Sequence, residues 1–412
     1  MSELKEKSRL AFEASKVLAL KSSSQKDAAL LEMAKALRNS QEEILQANQK
    51  DLEENAHLPS ALLDRLSLSP DRIEAMAKGL ENVANLPDPI GKEIKMIKRP
   101  NGLKIRQVRV PIGVIGIIYE ARPNVTSDAA ALCLKAGNAV ILRGGSEASN
   151  SNMAIGSVLK KALEKTEIPT DALQIIGDTD RIIVSELIKL REYVDLVIPR
   201  GGAGLIKFVT DNATVAVIET GVGNCHLYID KDADLQMAKD ILINSKCQRP
   251  GVCNSIETAL VHEDVAAEFL PLIYKELKER GVLVKGCPYA RQFVQELEEA
   301  DYNDWSTEYL DLVLAIRVVE SLDDALLHIA RYSSKHSEAI VTNNYFSAKR
   351  FLEEVDAAAV YVNASTRFTD GGEFGLGAEI GISTQKLHAR GPMGLEELTT
   401  VKYVIEGEGQ IR

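Results

Sequence analysis

Long apolar runs, aromatic residues and paired cysteines are all scarce in this chain of 412 residues. No apolar run approaches the roughly 20 residues that a membrane-spanning helix needs, so we expect no membrane partner. The N-terminus carries no recognisable signal peptide. The five cysteines include no Cys-x-x-Cys motif and no metal-ligand spacing, so we expect free thiols, a cytoplasmic location and no bound metal.

Charge and composition narrow the class of protein further. Basic residues number 49 and acidic residues 60, which gives a net charge of −11 without any Lys- or Arg-rich run. Nucleic acid is therefore not an expected partner. Aromatics make up 5% and hydrophobic residues 45%, with Ala, Leu, Ile and Val dominating, which is typical of an α/β protein. The length suggests two or three domains.

Two series of alternating strands and helices follow a helical N-terminal region that ends near residue 85. The first series predicts strands at 114–119, 139–143, 173–176, 194–199 and 215–219. The second predicts strands at 255–261, 282–284, 312–318, 339–342 and 359–362, followed by a Gly-rich loop segment at 368–381. Repeated β-α units of this kind predict an α/β fold with parallel sheets.

A β-hairpin is predicted between the helical region and the first series. Residues 94–110 alternate apolar and charged side chains around Asn101-Gly102. The edges of such a ribbon need cover, which a second subunit would supply. A solvated surface hairpin is an equally consistent alternative. Residues 399–406 predict a terminal strand that is able to join the hairpin.

Cys253 lies in a segment, residues 248–254, that separates a helical pattern from a strand pattern. Pro250-Gly251 breaks the chain there, so Cys253 is predicted on a tight connecting loop. A thiol in that position suits attack on an acyl carbon, because its thiolate forms readily and leaves again from a thioester. The alternative is that Cys253 is a small buried hydrophobe.

Polar and glycine-rich turns follow several strands of the first series, at the sheet edge where α/β proteins bind ligands. Residues 144–147 and 201–204 suit a dinucleotide, although neither is a Gly-x-Gly-x-x-Gly fingerprint and such turns often carry glycine for steric reasons. Asn124 is a candidate hydrogen-bond donor to an oxyanion, or simply a helix cap. Glu219 is a candidate general base, a hydrogen-bond anchor or an exposed carboxylate.

Four motifs give the chain a likeness to a known family. They lie at residues 119–126, 142–148, 198–202 and 247–254. Together they resemble the γ-glutamyl phosphate reductase family, a proline-biosynthesis branch of the aldehyde dehydrogenase superfamily. The likeness covers essentially the whole chain.

The resemblance implies an aldehyde dehydrogenase-like architecture in three parts. A Rossmann-like NADP-binding domain would comprise residues 1–95 and 111–246, and an α/β catalytic domain residues 247–392. Residues 96–110 and 393–412 would form an oligomerisation hairpin with a C-terminal strand, so a homo-oligomer is expected. Glutamate 5-kinase is a further partner that the resemblance suggests.

The implied reaction is the reduction of L-glutamyl 5-phosphate by NADPH to L-glutamate 5-semialdehyde, with release of phosphate. The Cys253 thiolate would form a thioester, and Asn124 with the Cys253 backbone N–H would hold the oxyanion. NAD-dependent oxidation of an aldehyde to a free acid on the same fold is the alternative.

The resemblance also assigns residues to ligands. Glu147 would favour a ribose hydroxyl and Arg143 a 2′-phosphate, and the family pattern favours NADPH. The cofactor-binding set is Arg143, Gly144, Gly145, Ser146, Glu147, Gly201, Gly202, Gly204, Glu219 and Glu308. The substrate-binding set is Arg122, Arg249 and His226. The two arginines are candidates for the phosphate or the α-carboxylate, or else for ion pairs at a domain boundary, and His226 and His336 are weaker candidates.

Overall fold

A computed structural model describes residues 2–412, apart from the side chains of residues 60 and 61. Contacts divide the chain into two units. One unit contains Met1–Thr220, Gly375–Gly381 and Met393–Arg412, and the other contains Gly221–Phe374 and Ile382–Pro392.

Helices and strands alternate through most of the described residues. The helices are α1 (Glu3–Leu18), α2 (Ser23–Asn39), α3 (Gln41–Glu54), α4 (Ser60–Leu66), α5 (Pro70–Asn85), α6 (Asn124–Lys135), α7 (Ser149–Leu163), α8 (Arg181–Leu187), α9 (Ala203–Asn212), α10 (Leu235–Cys247), α11 (Glu263–Glu279), α12 (Ala290–Phe293), α13 (Leu322–Tyr332) and α14 (Tyr345–Glu354). The strands are β1 (Glu93–Lys98), β2 (Lys104–Pro111), β3 (Val114–Tyr119), β4 (Ala139–Gly144), β5 (Leu173–Ile175), β6 (Leu196–Arg200), β7 (Ala216–Val217), β8 (Cys225–Ile229), β9 (Ile256–His262), β10 (Leu283–Gly286), β11 (Glu298–Glu299), β12 (Val313–Val319), β13 (Ser337–Val341), β14 (Ala359–Val362), β15 (Ile382–Ser383), β16 (Gly391–Pro392) and β17 (Thr399–Glu406).

The first unit is built on a five-stranded parallel sheet with the order β5-β4-β3-β6-β7. Every residue of β3 and β4 is buried, as expected for strands that are covered on both faces. The helices begin where the sequence provides caps: Ser22 and Gln25 form a capping box at α2, and Ser69 caps α5 ahead of Pro70. The parallel α/β fold predicted from the sequence is confirmed.

An antiparallel ribbon belongs to the same unit. The hairpin of β1 and β2 is extended by β17, which pairs with β2 from Thr399 opposite Pro111 to Glu406 opposite Lys104. The predicted joining of the terminal strand to the hairpin is therefore confirmed. The ribbon leaves apolar side chains exposed on β1 and β17, namely Ile94, Met96, Ile97, Val401, Tyr403 and Ile405.

The second unit is built on a seven-stranded parallel sheet with the order β11-β10-β12-β9-β8-β13-β14. Its larger core packs α10 and α11 against β9, β10 and β12. Strand β8 was not predicted, and β7 is shorter than the predicted 215–219. Because β8 pairs with β9 and β13, the contact boundary falls after Thr220, earlier than the sequence-based boundary after residue 246.

Candidate active site

The turn after β3 carries Asn124 at the carboxyl edge of the first unit's sheet. Ala121 in this turn has a positive φ of 40°, a conformation that non-glycine residues rarely adopt. Its N–H donates to Oε1 of Glu147 at 2.5 Å, which holds the turn in place. Asn124 begins α6 with an exposed side chain, and its Nδ2 donates to Oδ2 of Asp128 at 2.9 Å. One Nδ2–H is thereby fixed, and the amide has a second N–H to offer.

The glycine-rich turn after β4 is shaped by the chain's own side chains. A Cβ on Gly144 would lie 2.0 Å from Nδ2 of Asn152, and one on Gly145 would lie 2.3 Å from Oε1 of Glu147. Both glycines are therefore needed for close packing, the steric reason that the sequence left open. Ser146 is exposed, and the Glu147 carboxylate is turned toward the Ala121 amide.

Arg143 precedes this turn and is only 7% exposed. Its Nη2 donates to the carbonyl of Thr179 at 2.5 Å, whereas its buried Nε makes no hydrogen bond within residues 2–412. Burial lowers the pKa of the guanidinium, and nearby carboxylates, Glu147 first among them, oppose that shift.

The turn after β6 already holds a carboxylate. The N–H of Gly202, at the start of α9, donates to Oε2 of Glu120 at 2.8 Å. A Cβ on Gly201 would meet the same carboxylate at 2.4 Å, whereas one on Gly204 would have no described atom within 4 Å. The helix start therefore attracts an anionic oxygen, as a dinucleotide phosphate would require.

Arg122 and Glu219 are half-buried on the same unit, and each is engaged in contacts within the chain. Together with Asn124 and the two glycine-rich turns, they place every sequence-predicted residue of the first unit near a strand's carboxyl end. The buried, partly unpaired Arg143 and the Gly202 amide are a chemically suitable set for an anionic dinucleotide.

Cys253 lies in the second unit, on the loop between α10 and β9. It is partly exposed, as its predicted loop position requires, and the loop is closed by the N–H of Ser255 donating to the carbonyl of Val252 at 3.0 Å. The five cysteines of the chain are thiols and form no disulfide with one another. Burial raises the pKa of Cys133 and of Cys225, so these two thiols are poorly suited to form thiolates.

A buried ion pair fixes the base of this nucleophile loop, which we define as residues 248–255. Nζ of Lys246, at the end of α10, lies 2.6 Å from Oε2 of Glu257 at the start of β9, and both side chains have no exposed surface. Burial raises the pKa of Glu257 to about 7 and lowers that of Lys246. The other carboxylate oxygen of Glu257 accepts from the N–H of Leu310 at 3.3 Å.

Removal of one partner of the Lys246–Glu257 ion pair is expected to destabilise the folded chain. Lys246→Met should lower the free energy of unfolding by about 3–5 kcal/mol, because Glu257 would remain buried without its cation. The double variant Lys246→Met, Glu257→Leu should recover most of that loss. Chemical denaturation followed by fluorescence would measure both, with Lys275→Met on the exposed face of α11 as control. A loss below about 1 kcal/mol for the single variant would contradict the expectation.

Gly223 packs directly on the nucleophile. A Cβ at this position would lie 1.7 Å from the carbonyl oxygen of Cys253 and 2.4 Å from its Cα. The N–H of Gly223 donates to Oε1 of Glu308 at 2.7 Å, which brings this predicted cofactor residue close to the Cys253 backbone. Sγ of Cys225 donates to the same Cys253 carbonyl at 3.2 Å.

The segment that follows β14 clamps the nucleophile loop from another direction. Nδ2 of Asn254 donates to the carbonyl of Thr369 at 2.9 Å, and the Asn254 carbonyl accepts from Oγ1 of Thr366 at 2.7 Å. The guanidinium of Arg367 donates to Oδ1 of Asn254 through Nη1, and through Nε to Oε1 of Gln248 at 3.1 Å.

The two candidate histidines are buried. His226 has no exposed surface, and its backbone N and Nδ1 lie 2.9 and 3.1 Å from Oε2 of Glu338. His336 is equally buried, with Nδ1 at 2.8 Å from Oγ of Ser337. His328, whose ring packs edge-on against His226, has its pKa lowered to about 2 mainly by burial. In this structure the surroundings of His226 and His336 are therefore those of core residues.

Two residues of the site were missed by the sequence reasoning. Gly223 and Arg367 both contact the nucleophile loop, yet Arg367 stands 113 residues from its partner Asn254. Arg367 directly precedes the Gly-rich segment, and this adjacency is the one local signal that could have drawn attention to it.

Helices that are long and apolar enough to traverse a bilayer are absent from residues 2–412. The described part of the chain also contains no group of three or more His, Cys, Asp or Glu side chains placed to bind a metal ion.

Comparison with known proteins identifies the family. The model of the aldehyde dehydrogenase family matches residues 2–283. Gamma-glutamyl phosphate reductases from Caldanaerobacter subterraneus and Carboxydothermus hydrogenoformans are 59% and 61% identical to the chain, with 100% of each chain covered. The crystal structure of gamma-glutamyl phosphate reductase from Thermotoga maritima matches with a TM-score of 0.97 at 54% identity, again over 100% of both chains. The chain therefore belongs to the aldehyde dehydrogenase family and, within it, to the gamma-glutamyl phosphate reductases.

Proposed function

We propose that the chain reduces L-glutamyl 5-phosphate to L-glutamate 5-semialdehyde with NADPH and releases phosphate, the second step of proline synthesis from glutamate. The full-length likeness to gamma-glutamyl phosphate reductases supports this substrate. The observation that carries the chemistry is Cys253, a partly exposed thiol on a loop whose base and flank are fixed by the Lys246–Glu257 pair and by Arg367.

The chain's own residues account for the acyl transfer. The Cys253 thiolate attacks the acyl carbon, a C–S bond forms, and the C–O bond to phosphate breaks with its electron pair leaving on the phosphate. Bound NADPH would supply the hydride. Collapse of the resulting hemithioacetal releases the aldehyde and returns Cys253 as a thiolate. Asn124 is assigned to the oxyanion by the family resemblance, and the fixed orientation of its amide by Asp128 supports that role.

Residues at the carboxyl edge of the first unit's sheet support the binding of a dinucleotide. The start of α9 suits a phosphate oxygen, which would take the place of the Glu120 carboxylate on the Gly202 amide, and the buried guanidinium of Arg143 suits a further anionic group. Oε1 of Glu147 accepts from the Ala121 amide, and its predicted role at a ribose hydroxyl stays a prediction. The neighbouring Arg143 guanidinium would suit a 2′-phosphate, which supports NADPH over NADH. The cofactor domain, predicted at residues 1–95 and 111–246, would end with the first unit at Thr220, and the catalytic domain, predicted at residues 247–392, would also include β8 and α10.

The antiparallel ribbon supports a homo-oligomer. Its exposed apolar side chains on β1 and β17, among them Met96 at 53% and Tyr403 at 65% exposure, form a surface that a second subunit would cover. We also propose a cytoplasmic location, where five cysteines outside any disulfide would stay reduced. Association with glutamate 5-kinase remains a prediction of the resemblance.

The reaction run backwards tests the proposal. Protein, L-glutamate 5-semialdehyde, phosphate and NADP⁺ should produce reduced nicotinamide, and omission of phosphate should abolish steady turnover, because phosphate is the group that accepts the acyl from Cys253. The same mixture with NAD⁺ should be slower. Equal rates with and without phosphate would instead favour NAD-dependent oxidation to the free acid.

A further inference from the structure

One arginine within the nucleophile loop and one that contacts it belong to the second unit. Arg249, four positions before Cys253, is exposed and makes no hydrogen bond or ion pair within the described residues. Arg367 is half-buried, with Nη1 and Nε held by Asn254 and Gln248. Its Nη2 makes no hydrogen bond within residues 2–412. Guanidinium donors thus remain available at the loop that carries Cys253.

The charges of the two arginines act on each other. The pKa of Arg367 is lowered first by burial and next by repulsion from Arg249, while Asp370 and Cys253 oppose the shift. Oδ1 of Asp370 already accepts a hydrogen bond from the N–H of Gly372 at 2.8 Å, so this carboxylate compensates the positive charge of the arginines only in part. Neighbouring cations with so little compensation cost free energy, and an anion bound between them would offset that cost.

We propose that Arg249 and Arg367 together bind the phosphoryl group of the acyl phosphate, hold it as it departs from the acyl carbon, and bind free phosphate in the reverse direction. The inference rests on the proposed function and adds the residues that recognise the leaving group. Arg367 is the rigid member, since Asn254 and Gln248 fix two of its donors, whereas the exposed Arg249 supplies a second positive charge.

The substrate has a second anionic group, the α-carboxylate, and position distinguishes the two. Arg367 bonds to Asn254, the residue directly after the nucleophile. The phosphoryl group is joined to the attacked carbon through one oxygen, whereas the α-carboxylate is separated from it by the rest of the carbon chain. Donors this close to Cys253 therefore match the phosphoryl end. Bidentate recognition of phosphate is also what guanidinium groups do best.

Reverse kinetics separate the two anions, because phosphate and semialdehyde are then different substrates. Arg249→Gln should raise the KM for phosphate about tenfold or more, the equivalent of one charge-assisted hydrogen bond, and leave the KM values for semialdehyde and NADP⁺ within about twofold. Arg249→Lys should give an intermediate value, because charge is kept without the planar fork. Arg367→Lys should act in the same direction. Arg350→Gln, on an exposed arginine paired with Asp323 and Glu354, is the matched control and should match the parent.

A binding assay without turnover provides an independent readout. Inorganic phosphate should slow alkylation of Cys253 by iodoacetamide in the parent protein, and Arg249→Gln should lose this protection even if Arg367 variants fold poorly. If Arg249→Gln left both the KM for phosphate and the protection of Cys253 by phosphate unchanged, the inference would be overturned. A variant that raised only the KM for the semialdehyde would also overturn it, because the arginines would then bind the α-carboxylate. A parent protein with no phosphate-dependent turnover would instead refute the proposed function.

Discussion

Cys253→Ser is expected to abolish turnover almost completely, by a factor on the order of 10⁴ or more, while NADPH binding stays unchanged. A serine hydroxyl is not ionised near neutral pH, so it is a much weaker nucleophile than the thiolate. An oxygen ester, once formed, would also release the acyl group less readily than a thioester. Stopped-flow or steady-state assays in both directions, with cofactor binding followed by nicotinamide fluorescence, would measure the two effects separately.

Cys247→Ser provides the matched control. Cys247 ends α10 only six positions before Cys253, is partly buried, and packs against the core rather than on the loop. Its substitution should leave turnover within a few-fold of the parent. If Cys247→Ser proved inactive while Cys253→Ser retained turnover, the nucleophile would be Cys247 and not Cys253.

Gly223→Ala is expected to lower turnover by about a hundredfold or more, although the change adds a single methyl group. That methyl would lie 1.7 Å from the carbonyl oxygen of Cys253, so the nucleophile's backbone must move. The added methyl would collide with backbone atoms rather than with the end of a flexible side chain, so no change of side-chain rotamer can relieve the clash. Overpacking of this kind should also cost about 1–3 kcal/mol of stability.

Gly79→Ala is the control for adding a methyl to a glycine. Gly79 lies within α5, and a Cβ there would meet only Oδ1 of Asp128, at an ordinary 3.7 Å. Alanine should raise the stability by about 0.5–1 kcal/mol, because it restricts the unfolded chain and favours the helix. Thermal unfolding and turnover of the two variants would be measured together. Full activity in Gly223→Ala would show that the Cys253 backbone need not hold its position.

Local sequence patterns predicted most of the framework, because buried parallel strands appear as short uninterrupted apolar runs. Strand β3 was predicted with the bounds that the structure has, residues 114–119. Strand β8 escaped prediction because its residues, Cys225–Ile229, mix a cysteine, a histidine and a tyrosine among the apolar positions. Its burial follows from pairing with β9 and β13, which no local pattern reveals.

The nucleophile loop illustrates the same limit at the candidate site. The Pro250-Gly251 break was sufficient to predict that Cys253 lies on a loop, and the structure confirms that placement. The contacts that fix the loop come from residues distant in sequence. Gly223 stands 30 positions away, and Arg367 stands 113 positions from Asn254. Glu147 was considered for ribose binding, yet its carboxylate accepts from Ala121, a tertiary contact that its own motif does not encode.

Mapping of a trapped acyl group tests the central role of Cys253 most directly. Protein incubated with L-glutamate 5-semialdehyde and NADP⁺ but without phosphate should accumulate the thioester, which acid quenching and peptide mass spectrometry can locate. We expect a glutamyl adduct on the peptide that contains Cys253, and its loss when phosphate is added before the quench. An adduct on a different side chain, or no adduct in a preparation that catalyses the phosphate-dependent reaction, would contradict this assignment.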